Sequence, residues 1–193
     1  MIASTLKHTT MDTNRLSKKI EDALNAQVTK EAHAAQIYLA YGAWADEHGY
    51  AGIANFLFRH AHEERNHMMK IFEYVLERGG RAVVSAIPAP GDDPTSVQDC
   101  LEKVYKQEVN NTTAIYNIVN LSFEEKDWAT WNFMQWFVKE QVEEETLAMN
   151  LLDKMKIAGG DKAKDDALYA LDRELGGMPD EARSAEDVTA DNP

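Results

Sequence analysis

Apolar residues return every three or four positions along four long stretches of the chain, the spacing that lines one face of an α-helix. The first stripe reads Ile20, Leu24, Gln27, Glu31, Ala35, Tyr38. The second reads Ile53, Leu57, His60, Glu64, His67, Ile71, Tyr74. The third reads Leu101, Val104, Glu108, Thr112, Ile115, Val119. The fourth reads Phe133, Phe137, Glu140, Glu144, Leu147, Leu151. No run of strict alternation between turn residues accompanies them, so no strand is expected. The expected class is all-α.

The punctuation agrees. Of the five prolines none precedes Pro88, and three cluster at Pro88, Pro90 and Pro94. Gly79-Gly80 offers a left-handed helix stop, and Gly159-Gly160 and Gly176-Gly177 follow two further helical stretches. Helices are predicted over about residues 14–47, 51–78, 97–123 and 127–158, the third opening on a Thr95-Ser96 cap, with a short fifth over about 162–175. These make one domain, residues 14–175, between flexible extensions at 1–13 and 176–193. Only a few residues join the first helix to the second and the third to the fourth, so each pair is an antiparallel hairpin. The hairpins are linked by about 14–16 extended residues, which reach about 45 Å against about 42 Å for a 28-residue helix. The result is a four-helix bundle with one long crossover.

Each stripe carries a glutamate where a plain bundle would carry an apolar residue. Burying one unpaired carboxylate costs several kcal/mol. Counted from the hairpin turns, Glu31, His67, Glu108 and Glu144 each lie about 18 residues away and Glu64 about 15, a depth of about 27 Å. Four carboxylates and an imidazole can meet at one level, where no basic residue shares the stripes. The natural counter-charge is metal. Two divalent ions suit the set, with Glu64 or Glu108 able to bridge them. Glu64-x-x-His67 presents two ligands from one helix face. Mixed oxygen and nitrogen ligands with open positions suit iron or manganese better than structural zinc. His60 and His62 read as ordinary helix residues.

Charge and cysteine usage narrow the field. Acids outnumber bases 33 to 20, a formal charge of −13. Such a chain is a poor binder of nucleic acid or of an anionic membrane surface. One cysteine, Cys100, excludes an intrachain disulfide framework and CxxC metal sites, and fits a reducing compartment, the cytoplasm. No apolar run of about 18 residues is present to span a membrane. The first 20 residues contain no apolar leader core.

At these residues the sequence resembles the bacterial non-haem ferritins. The matching blocks are Glu31 with Gln36-Ile-Tyr38-Leu, Phe56-Leu-Phe-Arg-His60-Ala-His-Glu-Glu64-Arg-Asn-His67-Met, Tyr105-Lys-Gln-Glu108, and Gln135-Trp136 through Lys139-Glu140-Gln141-Val-Glu143-Glu144-Glu. Spacing matches between blocks as well as within them, over about residues 16–175. The resemblance implies a ferritin-like bundle with a short fifth helix and a two-iron ferroxidase centre in each subunit. Glu31, Glu64 and His67 would hold the first iron. Glu64, Glu108 and Glu144 would hold the second, with Gln141 close by. Glu63, Glu140 and Glu143 match a third, more weakly held iron position, and Tyr38 matches the tyrosine beside the centre. The resemblance further implies oxidation of Fe(II) by dioxygen or hydrogen peroxide, and a hollow homo-oligomer of 24 subunits storing ferric oxide. The haem-binding relatives carry a methionine directly after the bridging glutamate, where this chain has Arg65. They also carry a second histidine where it has Leu147, so no haem is expected. His62 stands where close relatives carry an acid. Taken alone, the residues leave two other readings open: a di-iron oxygenase or peroxidase using the same ligands, and a structural bundle whose glutamates pair with solvent or partner chains.

Overall fold

The computed structural model describes residues 11–179. Five α-helices follow in order: α1 Lys18–Glu47, α2 Ala51–Glu77, α3 Val97–Glu124, α4 Trp128–Ala158 and α5 Asp165–Gly176. A single 3-10 turn, Gly160–Lys162, precedes α5. No strand occurs among the described residues. None of the described helices is long and apolar enough to cross a membrane. The expected extensions at 1–13 and 176–193 lie largely outside the described residues.

α1 starts near residue 18 rather than 14 because the polar side chains ahead of it serve as caps. Asn14 Oδ1 accepts from the Leu16 amide at 2.9 Å, and Ser17 Oγ accepts from the Ile20 amide at 3.2 Å. The Arg15 amide donates to the Arg78 carbonyl at 2.9 Å, tying this entry to the end of α2. α2 stops where Gly79 turns left-handed (φ 73°), and α4 stops at Gly159 (φ 116°). Gly160 is also left-handed (φ 62°), so the chain tightens into the 3-10 turn and α5 begins at Asp165 rather than 162.

α1 packs on α2 and α3 on α4, and α1 also meets α3. The crossover from α2 to α3 runs along α1. The Arg81 amide donates to Glu21 Oε2 at 3.0 Å, and the Val83 amide to Asn25 Oδ1 at 2.7 Å. Farther on, His33 Nε2 lies 3.0 Å from the Ala89 carbonyl. α5 folds back onto the start of α2. There the Ile53 amide donates to Asp172 Oδ1 at 2.8 Å, and Arg59 donates to the Leu175 carbonyl at 2.9 Å.

The apolar core divides into two clusters. One, with Tyr41, Phe56, Leu57, Leu101 and Leu151, lies toward the α1–α2 turn and α5. The other, with Ile20, Leu24, Ile71, Ile115 and Phe137, lies toward the α3–α4 turn. Between them the buried residues are polar: Gln27, Glu31, Glu64, His67, Glu108, Asn111, Thr112, Gln141 and Glu144. The stripe of α4 differs from the one its largest apolar residues suggest. Its buried line is Thr130, Met134, Phe137, Gln141, Glu144, Ala148, Leu151 and Met155. Phe133, Glu140 and Leu147 flank it, half-buried. Phe133 gains its cover by stacking on Tyr74, with ring centroids 3.8 Å apart. At three places the central residue is therefore the one following the residue expected: Met134 for Phe133, Gln141 for Glu140 and Ala148 for Leu147.

Candidate metal centre

Six of the residues expected at the centre are nearly inaccessible. Glu31 of α1 is 0% exposed, Glu64 and His67 of α2 are 2% and 3%, Glu108 of α3 is 1%, and Gln141 and Glu144 of α4 are 2% and 7%. Glu31, Glu64 and His67 each offer one ligand atom, and those atoms all lie within 4.8 Å of one another. The i, i+3 spacing puts Glu64 and His67 on one face of α2, and Glu31 faces them from α1. His67 Nδ1 lies 3.7 Å from Glu64 Oε2, beyond hydrogen-bond reach. Glu64 Oε2 is buried and accepts no hydrogen bond. A buried carboxylate oxygen without a donor is costly and calls for a counter-charge.

On the other hairpin, Glu108 is held at both oxygens. Tyr38, 1% exposed, donates its hydroxyl to Glu108 Oε1 at 2.5 Å. Gln141 Nε2 donates to Glu108 Oε2 at 3.3 Å and to Thr112 Oγ1 at 3.1 Å. Lys30, next to Glu31 in sequence, donates to the Asn110 carbonyl at 2.6 Å.

The electrostatics follow from burying so many acids together. Burial pushes the Glu64 carboxyl well above the carboxylate range, and the neighbouring Glu108 and Glu31 push it further. Burial likewise raises Glu108 to about 7, against the opposing pull of the Tyr38 and Gln141 hydrogen bonds. The Tyr38 hydroxyl is raised well above its ordinary value, by burial first and then by Glu108. Burial lowers His67, which keeps its imidazole neutral and available as a ligand, although Glu31 pulls the other way. Near neutral pH the metal-free centre therefore holds protons that a bound cation would displace.

Beside the first cluster lie two more metal-sized groups. Glu63, His67 and Glu140 form one, and His60, Glu63 and Glu144 form the other. Glu63 is common to both. Of the third set expected from the sequence, Glu63 and Glu140 come together. Glu143 instead faces solvent and pairs with Lys139 at 3.2 Å. His60, read from the sequence as an ordinary helix residue, points inward. Its Nδ1 lies 3.0 Å from the Phe56 carbonyl, which turns Nε2 toward Glu144 Oε2 at 3.8 Å. The available signal was its place one turn before Glu64 on the same stripe. His62 is exposed.

A four-helix bundle with a crossover, a fifth helix and a buried carboxylate–imidazole cluster at mid-depth defines the class. A family model of the ferritin-like domain matches residues 21–158. A protein of Haemophilus influenzae, described as a probable bacterial non-heme ferritin-like protein, is 40% identical over 86% of this chain and 99% of its own. A bacterial non-heme ferritin of Staphylococcus saprophyticus is 39% identical over 83% of this chain and 94% of its own. Among solved structures, the open-pore ferritin of the archaeon Archaeoglobus fulgidus superposes with a TM-score of 0.81 at 40% identity, covering 85% of this chain and 99% of that one. The chain belongs to the ferritin family.

Proposed function

We propose that this ferritin stores iron, oxidising Fe(II) with dioxygen inside each subunit and keeping the ferric oxide within a hollow shell of 24 subunits. The observation that carries this reading is the Glu31–Glu64–His67 cluster, buried at mid-bundle with one carboxylate oxygen left without a donor. Glu31, Glu64 and His67 bind the first Fe(II). Glu64, Glu108 and Glu144 bind the second, with Gln141 beside it, so Glu64 is shared by the pair. The carboxylates shed their protons as the cations enter. A ligand set dominated by carboxylate oxygen favours the harder Fe(III) ion, which eases transfer of electrons from the two ions to dioxygen. Tyr38 holds one oxygen of Glu108 and leaves its remaining lone pairs for the metal. Glu63 and Glu140, with His60 close to Glu144, offer the oxidised iron its next partners along α2 and α4. The acidic surplus raises the local concentration of Fe(II). Both the relatives' descriptions as ferritins and the likeness to an archaeal ferritin support storage.

Stopped-flow oxidation of Fe(II) by the wild type and by Glu64→Ala tests the reading, with shell size checked by light scattering. The wild type is expected to oxidise the first two ions per chain in a fast phase, and Glu64→Ala to fall to the rate of Fe(II) in buffer while still assembling. An undiminished fast phase in the assembled variant would remove this centre from the account.

A further inference from the structure

The buried layer contains three side-chain amides as well as its acids. Gln27 of α1 and Gln141 of α4 are each 2% exposed, and Asn111 of α3 is 1% exposed. An amide in such a place is costly unless its hydrogens and carbonyl are all engaged. Here they are. Gln27 Nε2 donates one hydrogen to Glu31 Oε1 at 2.7 Å and the other to Asn111 Oδ1 at 2.6 Å. Asn111 Nδ2 donates to Glu31 Oε2 at 3.0 Å and, at 3.5 Å, toward Gln141 Oε1. Gln141 in turn donates to Glu108 Oε2 at 3.3 Å. The amides therefore form a chain from the carboxylate of one hairpin to that of the other. Its direction is fixed, because turning Asn111 over would set its carbonyl against a carboxylate oxygen and its NH2 against the Gln27 donor.

We infer that Asn111 and Gln27 are positioning residues of this centre: they clamp both oxygens of Glu31 and tie its orientation to Gln141 and Glu108. The inference rests on the metal-binding reading above. Each Glu31 oxygen gives one lone-pair direction to an amide and keeps the other for the cation. The carboxylate then cannot rotate away when the site is empty, although it sits among like charges. Asn111 is the residue that touches both halves, so it carries the position of the first site to the second. Hydrogen-bond partners of metal ligands typically control about 10–100-fold in affinity.

The test is anaerobic titration of the metal-free, assembled protein with Co(II), followed by calorimetry and by the visible absorption of the bound ion. Asn111→Leu and Gln27→Met remove the amides from two different helices while keeping side chains of similar length, so one of them serves if the other fails to assemble. Each is expected to weaken the tightest Co(II) site by about 10–100-fold and to change its visible spectrum. The double variant is expected to lose less than the two single losses combined, because both residues act through Glu31. Wild-type affinity and spectrum in an assembled variant would overturn the inference, even if that variant melts earlier. A wild type that binds no Co(II) would instead overturn the metal reading, and this inference with it.

Discussion

Replacing Glu108 with glutamine should stabilise the metal-free protein at pH 8 and weaken it slightly at pH 5. The carboxyl titrates near 4.5 in an ordinary setting and about 7 in the folded protein. Between those values the folded state holds more protons than the unfolded one, so this group's contribution falls as pH rises. Two and a half units correspond to about 3 kcal/mol lost once the carboxylate is charged in both states. Glutamine never charges. Its carbonyl can still accept from Tyr38, but its NH2 must face the donor of Gln141, at a cost of about 1 kcal/mol. At pH 5, already above 4.5, the wild-type group has lost about 0.8 kcal/mol, so the variant should be only a few tenths of a kcal/mol less stable there and about 2 kcal/mol more stable at pH 8. For a chain of this size each kcal/mol moves Tm by about 2–4 °C, so the difference between the two proteins should swing by about 5–10 °C. Calorimetric scans of chelator-treated protein at one fixed concentration measure it. A Tm difference that stays constant from pH 5 to pH 8, or swings the other way, would refute the argument.

Two further outcomes follow from the same structure. Zn(II) binding to the metal-free protein near pH 7 should release protons, because Glu64 and Glu108 are both raised and a metal takes the deprotonated form. Titration heats should then differ between two buffers of unequal ionisation enthalpy, and differ less as pH rises toward 8.5; equal heats in both buffers at pH 7 would contradict this. Gly52→Ala should loosen α5, since a Cβ there would stand 1.8 Å from the Asp172 carbonyl oxygen, backbone that cannot swing aside. A cost of about 1–3 kcal/mol is expected, read as a lower Tm with faster proteolysis around α5, and an unchanged Tm would show that the contact relaxes freely.

Much of this architecture is legible in the stripes. Every position of the α1 stripe is buried as its spacing implies, because α1 is covered by α2, α3 and the crossover together. On α4 the choice of large apolar residues misled by one position. Phe133 and Leu147 lie at the edge of the seam, and Gln141 takes the central place expected of Glu140. Hydrophobicity marks the face of a helix, but the shape of the neighbouring helices decides which residue of that face lies at its centre. The acids at mid-depth stand out because four buried carboxylates have no bland explanation. His60 and Asn111 do not stand out. A histidine or an asparagine on a helix carries little preference for inside or outside, and Asn110 beside Asn111 is exposed. Only the packed positions of Glu31, Gln141 and Glu144 reveal what those two residues meet.

Aerobic iron loading of the metal-free protein bears most directly on the central claim. Fe(II) is added in steps, and the iron that travels with the protein on a sizing column is measured. The account predicts a large shell that carries iron far beyond two or three ions per chain. Uptake that stops near two ions per chain on a small oligomer would contradict storage and leave a di-iron oxidase or oxygenase in its place.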